Sequence, residues 1–135
     1  MFTTLERWSP QLLSLARIAF GITFIEHGTQ KLLGFPVPAP GVLGPGLLLF
    51  TSVFETIGGT MITLGLFTRV VAFLVSGEMA VGYWMMHAPQ SFYPIKNGGE
   101  VMVLYCFAFL YFAAVGPGPW SLDAMWNLDA KVKRA

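Results

Sequence analysis

Long apolar stretches alternate along the chain with short segments rich in Gly, Pro and polar residues. Four stretches reach the length at which a helix crosses the hydrocarbon core of a bilayer, about 20 mostly apolar residues. They cover residues 10–33, 45–67, 68–87 and 98–115. The turn at 66–69 is so short that the second and third stretches are expected to run back along each other as a hairpin. The pattern therefore predicts an all-α membrane protein, a four-transmembrane-helix antiparallel bundle.

The segments between and after the stretches contain the residues that interrupt helices. Loops are predicted at 34–41 and 89–97, and a Gly-Pro-Gly-Pro sequence at 116–119 ends the fourth stretch. Residues 120–135 hold two Trp residues and a basic end, a composition that favours a short interfacial C-terminal tail lying along the membrane surface. No repeat or linker divides the 135 residues, so the chain is predicted to be a single domain.

The composition supports a membrane protein and excludes several other classes. Hydrophobic residues make up 55% of the chain and charged residues 11%, whereas a soluble domain carries about 25% charged residues. The net charge is +1 and no basic cluster alternates with aromatic residues, so no nucleic-acid partner is expected. Cys106 is the single cysteine, which excludes an internal disulfide and a Cys-x-x-Cys redox motif.

The distribution of Lys and Arg predicts the orientation, because these residues are enriched in cytoplasmic loops. An even number of spans places both termini and the turn at 66–69 on the same side of the membrane. Arg7, Arg69, Lys131, Lys133 and Arg134 lie on that side, and Lys31 and Lys96 lie on the other. Both termini are therefore predicted to be cytoplasmic.

The most informative residues are ionisable side chains inside or at the ends of the four stretches. An ionised side chain at the centre of a bilayer costs at least about 2.5–3.5 kcal/mol. Such residues therefore need a partner or a function, and they are the candidates for ligand binding or proton relay. They are Arg17, Glu26, His27, Lys31, Glu55, Glu78, His87 and Glu100.

Helical geometry indicates where these side chains point. At 3.6 residues per turn, Arg17 and Lys31 share one face of the first helix with two glycines, and Glu26 lies roughly opposite Arg17. Glu55 and Glu78 also share helix faces with glycines. The charges are therefore predicted to face the interior, around a polar cavity that opens to the outer side and is floored by the two carboxylates. Arg17 is the predicted counter-ion of one of them, since an unpaired buried charge is costly.

Several of these residues have a structural alternative. Glu100 follows Asn97 by three residues, which is the spacing of a capping box at a helix start. Glu55 and Glu78 lie near the predicted midplane, so they indicate either a function or a structural buried pair. No metal site is predicted, because the Glu-x-x-His spacing of bundle metal sites is missing. A simple interfacial position is the alternative for His27, Lys31, His87 and Lys96.

These segments together resemble the DoxX family of small four-span membrane proteins. The resemblance extends from about Leu12 to Asp123. Its marks are Ala16-Arg17, Glu26-His27-Gly28-Thr29-Gln30-Lys31-Leu32, Glu55-Thr56-Ile57-Gly58-Gly59, Leu64-Gly65-Leu66-Phe67-Thr68-Arg69, Glu78-Met79, His87, Asn97-Gly98-Gly99-Glu100 and Gly116-Pro117-Gly118-Pro119-Trp120-Ser121-Leu122-Asp123.

The resemblance implies a protein of the bacterial or archaeal cytoplasmic (inner) membrane with a link to redox physiology, because founding members resemble a subunit of a thiosulfate:quinone oxidoreductase. No cofactor motif is evident, so a quinone is the implied cofactor and the chain is at most a subunit of a membrane oxidoreductase. Its partners would be the lipid bilayer and a membrane or soluble oxidoreductase subunit, and a homo-oligomer stays open. The alternative is a small transporter, or a non-catalytic partner or assembly factor whose buried charges form a structural lock.

Overall fold

A computed structural model describes residues 2–39 and 43–129, and the regular structure in these residues is entirely helical. Helices follow each predicted apolar stretch, with ends that differ from the prediction by at most three residues. The segment 34–39 is irregular, as its Pro and Gly content predicts. The helices are α1 (Phe2–Arg7), α2 (Ser9–Leu33), α3 (Pro45–Leu64), α4 (Thr68–Gly82), which continues into a π-helical turn (Tyr83–His87), α5 (Pro94–Asn97), α6 (Glu100–Val115) and α7 (Leu122–Met125).

Two helical segments of the described chain are long and apolar enough to cross a membrane. They are α3 and the continuous helix Thr68–His87, each 20 residues long, with mean hydropathies of 1.6 and 1.2. The apolar helix α6 has 16 residues, and the 25 residues of α2 include Arg17, Glu26 and Lys31. These charged residues lower the mean hydropathy of α2, so α2 is not among the two segments.

Helices α2 and α3 pack closely through glycines. A Cβ atom added at Gly28 would lie 2.6 Å from the backbone nitrogen of Thr56, and one at Gly59 would lie 2.9 Å from the backbone nitrogen of Ile25. Near the other end of the pair, Gly21 contacts Thr63. Since the order of contacts is reversed along the two helices, α2 and α3 run antiparallel. Small residues at a helix crossing allow this approach.

We expect Gly28→Val to destabilise the protein by at least about 1–3 kcal/mol, the usual cost of overpacking, because the added atoms collide with the backbone of α3. Thermal unfolding in detergent measures the effect. Gly77→Val is the matched control, since a Cβ atom at Gly77 meets no heavy atom within 4 Å. Equal melting temperatures for the two variants would contradict the close α2–α3 contact.

Helices α4 and α6 form the second closely packed pair. The Ser76 hydroxyl donates to the carbonyl of Cys106 at 2.8 Å, and Gly82 faces Met102, so this pair is also antiparallel. Aromatic rings from α2 and α6 meet between the pairs, with the ring centres of Phe24 and Phe109 5.0 Å apart. The buried apolar residues are Phe24, Ile62, Ala72, Val75, Met79, Tyr105, Phe109 and Phe112.

The segment after α6 folds back over the turn between α3 and α4. The Asp123 carboxylate accepts hydrogen bonds from the backbone nitrogens of Phe67 and Thr68 at 2.7 and 2.8 Å, and thereby caps the start of α4. Ser121 and Asp123 are buried. The polar groups of this segment therefore supply caps to the turn, a role that the sequence did not predict. Residues 130–135 lie outside the described part of the chain.

Candidate functional site

Arg17 is a structural clamp at one end of the molecule, which we call the Arg17 end. Its side chain is fully buried. Its Nε donates to the carbonyl of Pro117 at 2.7 Å, and its Nη1 donates to the carbonyl of Thr63 at 2.7 Å. Further bonds join Nη1 to the carbonyl of Ile62 and Nη2 to that of Trp120. The planar guanidinium therefore binds the last turn of α3 to the segment that follows α6.

The predicted pairing of Arg17 with a membrane carboxylate is wrong. Arg17 and Lys31 lie on the same helix face, as predicted, but 14 residues apart, which is about 21 Å along α2. The carboxylates lie near Lys31, and the Arg17 donors are occupied by backbone carbonyls. Arg17 therefore does not belong to the group formed by Lys31, Glu55 and Glu78.

Arg69 has a similar structural role at the same end. Its Nε donates to Asp129 at 2.7 Å, and its Nη atoms donate to the carbonyls of Ala113, Ala114 and Val115 at 3.0, 2.5 and 3.1 Å. Positive charge is favourable at the carboxyl end of a helix. The sequence indicated Arg69 only as a positive charge that predicts the orientation. In the structure it also caps the end of α6, as Arg17 caps the end of α3.

Lys31 and Glu55 form an ion pair at the opposite end, which we call the Lys31 end. The Lys31 ammonium lies 2.5 Å from Oε1 of Glu55, and the two side chains are 17% and 2% exposed. Lys31 is in the last turn of α2, from where its long side chain reaches across to α3. The interfacial alternative for Lys31 is therefore wrong, because its charged group turns inward to Glu55. The second oxygen of Glu55 is buried and has no hydrogen-bond partner among the described residues.

Glu78 brings a second carboxyl group to this region from α4. Its two oxygens are buried, and neither has a hydrogen-bond partner in the described part of the chain. A polar group buried without a partner costs free energy. Glu55 and Glu78 thus have three carboxyl oxygens that can accept hydrogen bonds from a group outside the described residues.

A cavity of about 350 Å³ joins these groups. Lys31, Glu55 and Glu78 line it, and most of the remaining wall is Leu, Phe, Val and Met side chains from α3, α4 and α6. The volume falls within the range of small-molecule sites, about 300–1,000 Å³, which combine apolar walls with a few polar groups. We call this space the head cavity. The sequence predicts a polar cavity floored by the two carboxylates. Both carboxyl groups line the head cavity, but its other walls are mostly apolar.

A second cavity of about 410 Å³ adjoins the same ion pair. It shares Lys31 and Glu55 with the head cavity, and His27 and His87 also line it. The His27 ring lies 5.6 Å from the Tyr105 ring, measured between centres and almost perpendicular to it. Nδ1 of His87 donates to the carbonyl of Asn97 at 2.8 Å. We call this second space the histidine cavity. The ion pair therefore lines both the apolar head cavity and a space with two imidazole groups.

Besides Arg17, two further predicted site residues do not belong to these cavities. Glu26 and Glu100 are exposed on the outer surface of the molecule and line neither space. The capping box suggested by Asn97 and Glu100 is not formed, since Gly99 is the N-cap of α6 and no side chain caps it. The Asn97 side chain instead accepts from the backbone nitrogen of Gly99 at 2.8 Å.

The structure adds residues that the sequence did not single out. Tyr105 lies at the histidine cavity against His27, and Met79, Met86 and Met102 line both cavities. Aromatic and Met residues are so frequent in this chain that no sequence signal distinguishes these from packing residues. Among residues 2–39 and 43–129, no three His, Cys, Asp or Glu side chains converge as metal ligands would.

Comparisons with known proteins identify a family and several relatives. A family sequence profile described as DoxX matches residues 12–88. A protein of Haemophilus influenzae, described as an uncharacterized protein, is 42% identical over 125 residues, which cover 88% of this chain and 93% of the relative. The Escherichia coli inner membrane proteins YphA and YqjF are 35% and 30% identical, over 84% of this chain and 89% and 90% of theirs. No solved structure matches.

Proposed function

Because the chain belongs to the DoxX family and is an integral membrane protein, we propose that it crosses the bilayer four times and holds a quinone-like molecule in the head cavity. The spans would be α2, α3, the helix Thr68–His87 and α6. The Lys31 end would face the outer side, with both termini in the cytoplasm, as the Lys and Arg distribution indicates. The inner-membrane names of the two Escherichia coli relatives support an inner-membrane location.

The observation that carries the proposal is the set of unpartnered carboxyl oxygens in an apolar space. Glu55 and Glu78 have three buried oxygens without hydrogen-bond partners among the described residues, and Lys31 places an ammonium beside them. A quinol has two hydroxyl groups that donate to such oxygens, and a quinone has two carbonyls that accept from an ammonium. The apolar walls fit the ring. Water alone would satisfy the oxygens but would not account for the size and the apolar lining of the cavity.

The same groups suit the protons of quinone chemistry. Oxidation of a quinol to its quinone releases two electrons and two protons. Glu55 and Glu78 would accept the protons at the ring, and the electrons would pass to a partner oxidoreductase subunit, since this chain has no cysteine pair or cofactor-attachment motif. His27 and His87 in the histidine cavity would carry protons between the ion pair and the outer side.

We expect a tail-less benzoquinol to raise the melting temperature of the purified protein in detergent, and Glu55→Gln and Glu78→Gln each to weaken its binding about tenfold or more. A hydrogen bond to a charged group contributes about 1.5–3 kcal/mol. Glu26→Gln is the matched control, because it removes an exposed carboxyl group outside both cavities. Equal binding by the three variants and the unchanged protein would remove the support for a quinol site.

A structural lock is the second candidate, and the clamp of Arg17 favours it. Four carbonyls from two distant segments are held by that one guanidinium. In a transporter or assembly factor, the Lys31–Glu55 pair would have the same purely structural role at the other end. Under this alternative, the two Gln variants would lose stability by the same amount with and without the benzoquinol.

A further inference from the structure

A groove on the outside of α3 and α4 continues from the head cavity. Its volume is about 500 Å³, and it runs from Gly46 past Ile57 to Met61 along α3. Phe50, Phe54 and Leu74 line both the groove and the head cavity. The two spaces therefore share a wall, and the groove leads from the carboxyl groups toward the Arg17 end. We call it the α3–α4 groove.

We propose that the α3–α4 groove holds the apolar tail of a membrane-dissolved ligand whose ring occupies the head cavity. This inference rests on the proposed function and extends it from a ring to a ring with a long tail. The groove is lined by apolar side chains and two glycines, without a charged or amide side chain. From Phe50 to Met61 it covers 12 residues of α3, a rise of about 16 Å. An alkyl or isoprenoid chain fits this length and chemistry.

The groove opens toward the bilayer, which determines where the ligand comes from. Phe50, Ile57 and Leu74 are each more than half exposed, and they belong to the two helices that are apolar enough to span a membrane. At this depth the surrounding medium is hydrocarbon. A ligand would thus enter sideways from the bilayer between α3 and α4. Gly77 lines the head cavity, and a Cβ atom added there would meet no heavy atom within 4 Å. The entrance is therefore not blocked at Gly77.

The carboxyl groups of the head cavity determine which class of membrane amphiphile fits there. The Lys31 ammonium, which could attract a phosphate, is already paired with Glu55. A phospholipid would therefore bring its phosphate close to a carboxylate, and like charges disfavour each other in an apolar site. A neutral head with hydroxyl or carbonyl groups avoids this repulsion and can bond to the unpartnered oxygens. The structure therefore favours a neutral ring with a long tail over a phospholipid.

Photolabelling in lipid nanodiscs tests the proposal. The probe is a benzoquinol with a decyl tail that ends in a diazirine, and labelled peptides are mapped by mass spectrometry. We expect the label on the α3–α4 groove, around Ile57, Met61 and Val71. An excess of the tail-less benzoquinol should remove this label, because it occupies the head cavity. Ile57→Trp should reduce the label at least fivefold while the tail-less compound binds as before.

Ile22→Trp is the control for that variant, since Ile22 is an exposed residue of α2 outside the α3–α4 groove. A label spread over other exposed helices, or one that the tail-less compound does not compete away, would overturn the tail site. If the tail-less compound still binds in that case, the proposed function stands alone. If neither compound binds, both the ring site and the tail site are rejected.

Discussion

Arg17→Met is expected to lower the free energy of unfolding by about 4 kcal/mol or more. The variant removes the Arg17 donor from four backbone carbonyls, those of Ile62, Thr63, Pro117 and Trp120. The carbonyl of Ile62 keeps a second donor, the backbone nitrogen of Gly65, so the loss falls mainly on the other three. Each buried acceptor without a partner costs about 1–3 kcal/mol. Unfolding in detergent, followed by tryptophan fluorescence, measures the loss.

Two further variants define what the Arg17 result means. Arg17→Lys keeps the charge but replaces a planar group with five donors by a single ammonium, so it should recover only part of the stability. Arg7→Met removes an exposed guanidinium from α1 and should leave unfolding unchanged. The folded fraction of Arg17→Met should bind the benzoquinol with unchanged affinity, because Arg17 lies far from the head cavity. An unfolding curve like that of the unchanged protein would show that the four bonds contribute little.

The sequence predicted the helices well because their signals are local. Apolar runs of sufficient length and the Gly and Pro residues between them are visible in any window of the chain. The face shared by Arg17, Gly21, Gly28 and Lys31 was also predicted correctly, since it follows from the helical period alone. Gly21 and Gly28 face α3, and Lys31 pairs with Glu55.

The partners of Arg17 could not be predicted in the same way. They are carbonyl oxygens, which every residue has, and they lie 45 to 103 residues away in the chain. A search for opposite charges therefore gave Arg17 a carboxylate instead. Asp123 illustrates the same limit, because it caps a helix that begins 55 residues earlier. The three-residue spacing of Asn97 and Glu100 failed for a local reason. Asn97 ends α5, and α6 begins only at Glu100 with Gly99 as its N-cap, so Asn97 lies two residues before the N-cap position.

The Lys31–Glu55 pair separates the two candidate functions most clearly. Lys31→Met should lower the free energy of unfolding by about 3–5 kcal/mol, because it leaves a carboxylate that is 2% exposed without its cation. Glu55→Leu, which leaves the ammonium unpaired, should have a smaller effect, since Lys31 is 17% exposed and its long side chain can turn outward.

The double variant Lys31→Met/Glu55→Leu should recover most of this loss, since replacing both partners of a buried pair by apolar residues of similar volume is often neutral or stabilising. Unfolding measured with and without the benzoquinol then tests the function. If the pair forms part of a ring site, the double variant is stable but no longer responds to the compound, because Lys31 and Glu55 supply an ammonium and an unpartnered oxygen to the head cavity. If the pair is only a structural lock, the two apolar residues stabilise the protein equally well. Any effect of the benzoquinol on unfolding then stays the same as in the unchanged protein. A stable protein that has lost its ligand response would therefore assign the pair to binding.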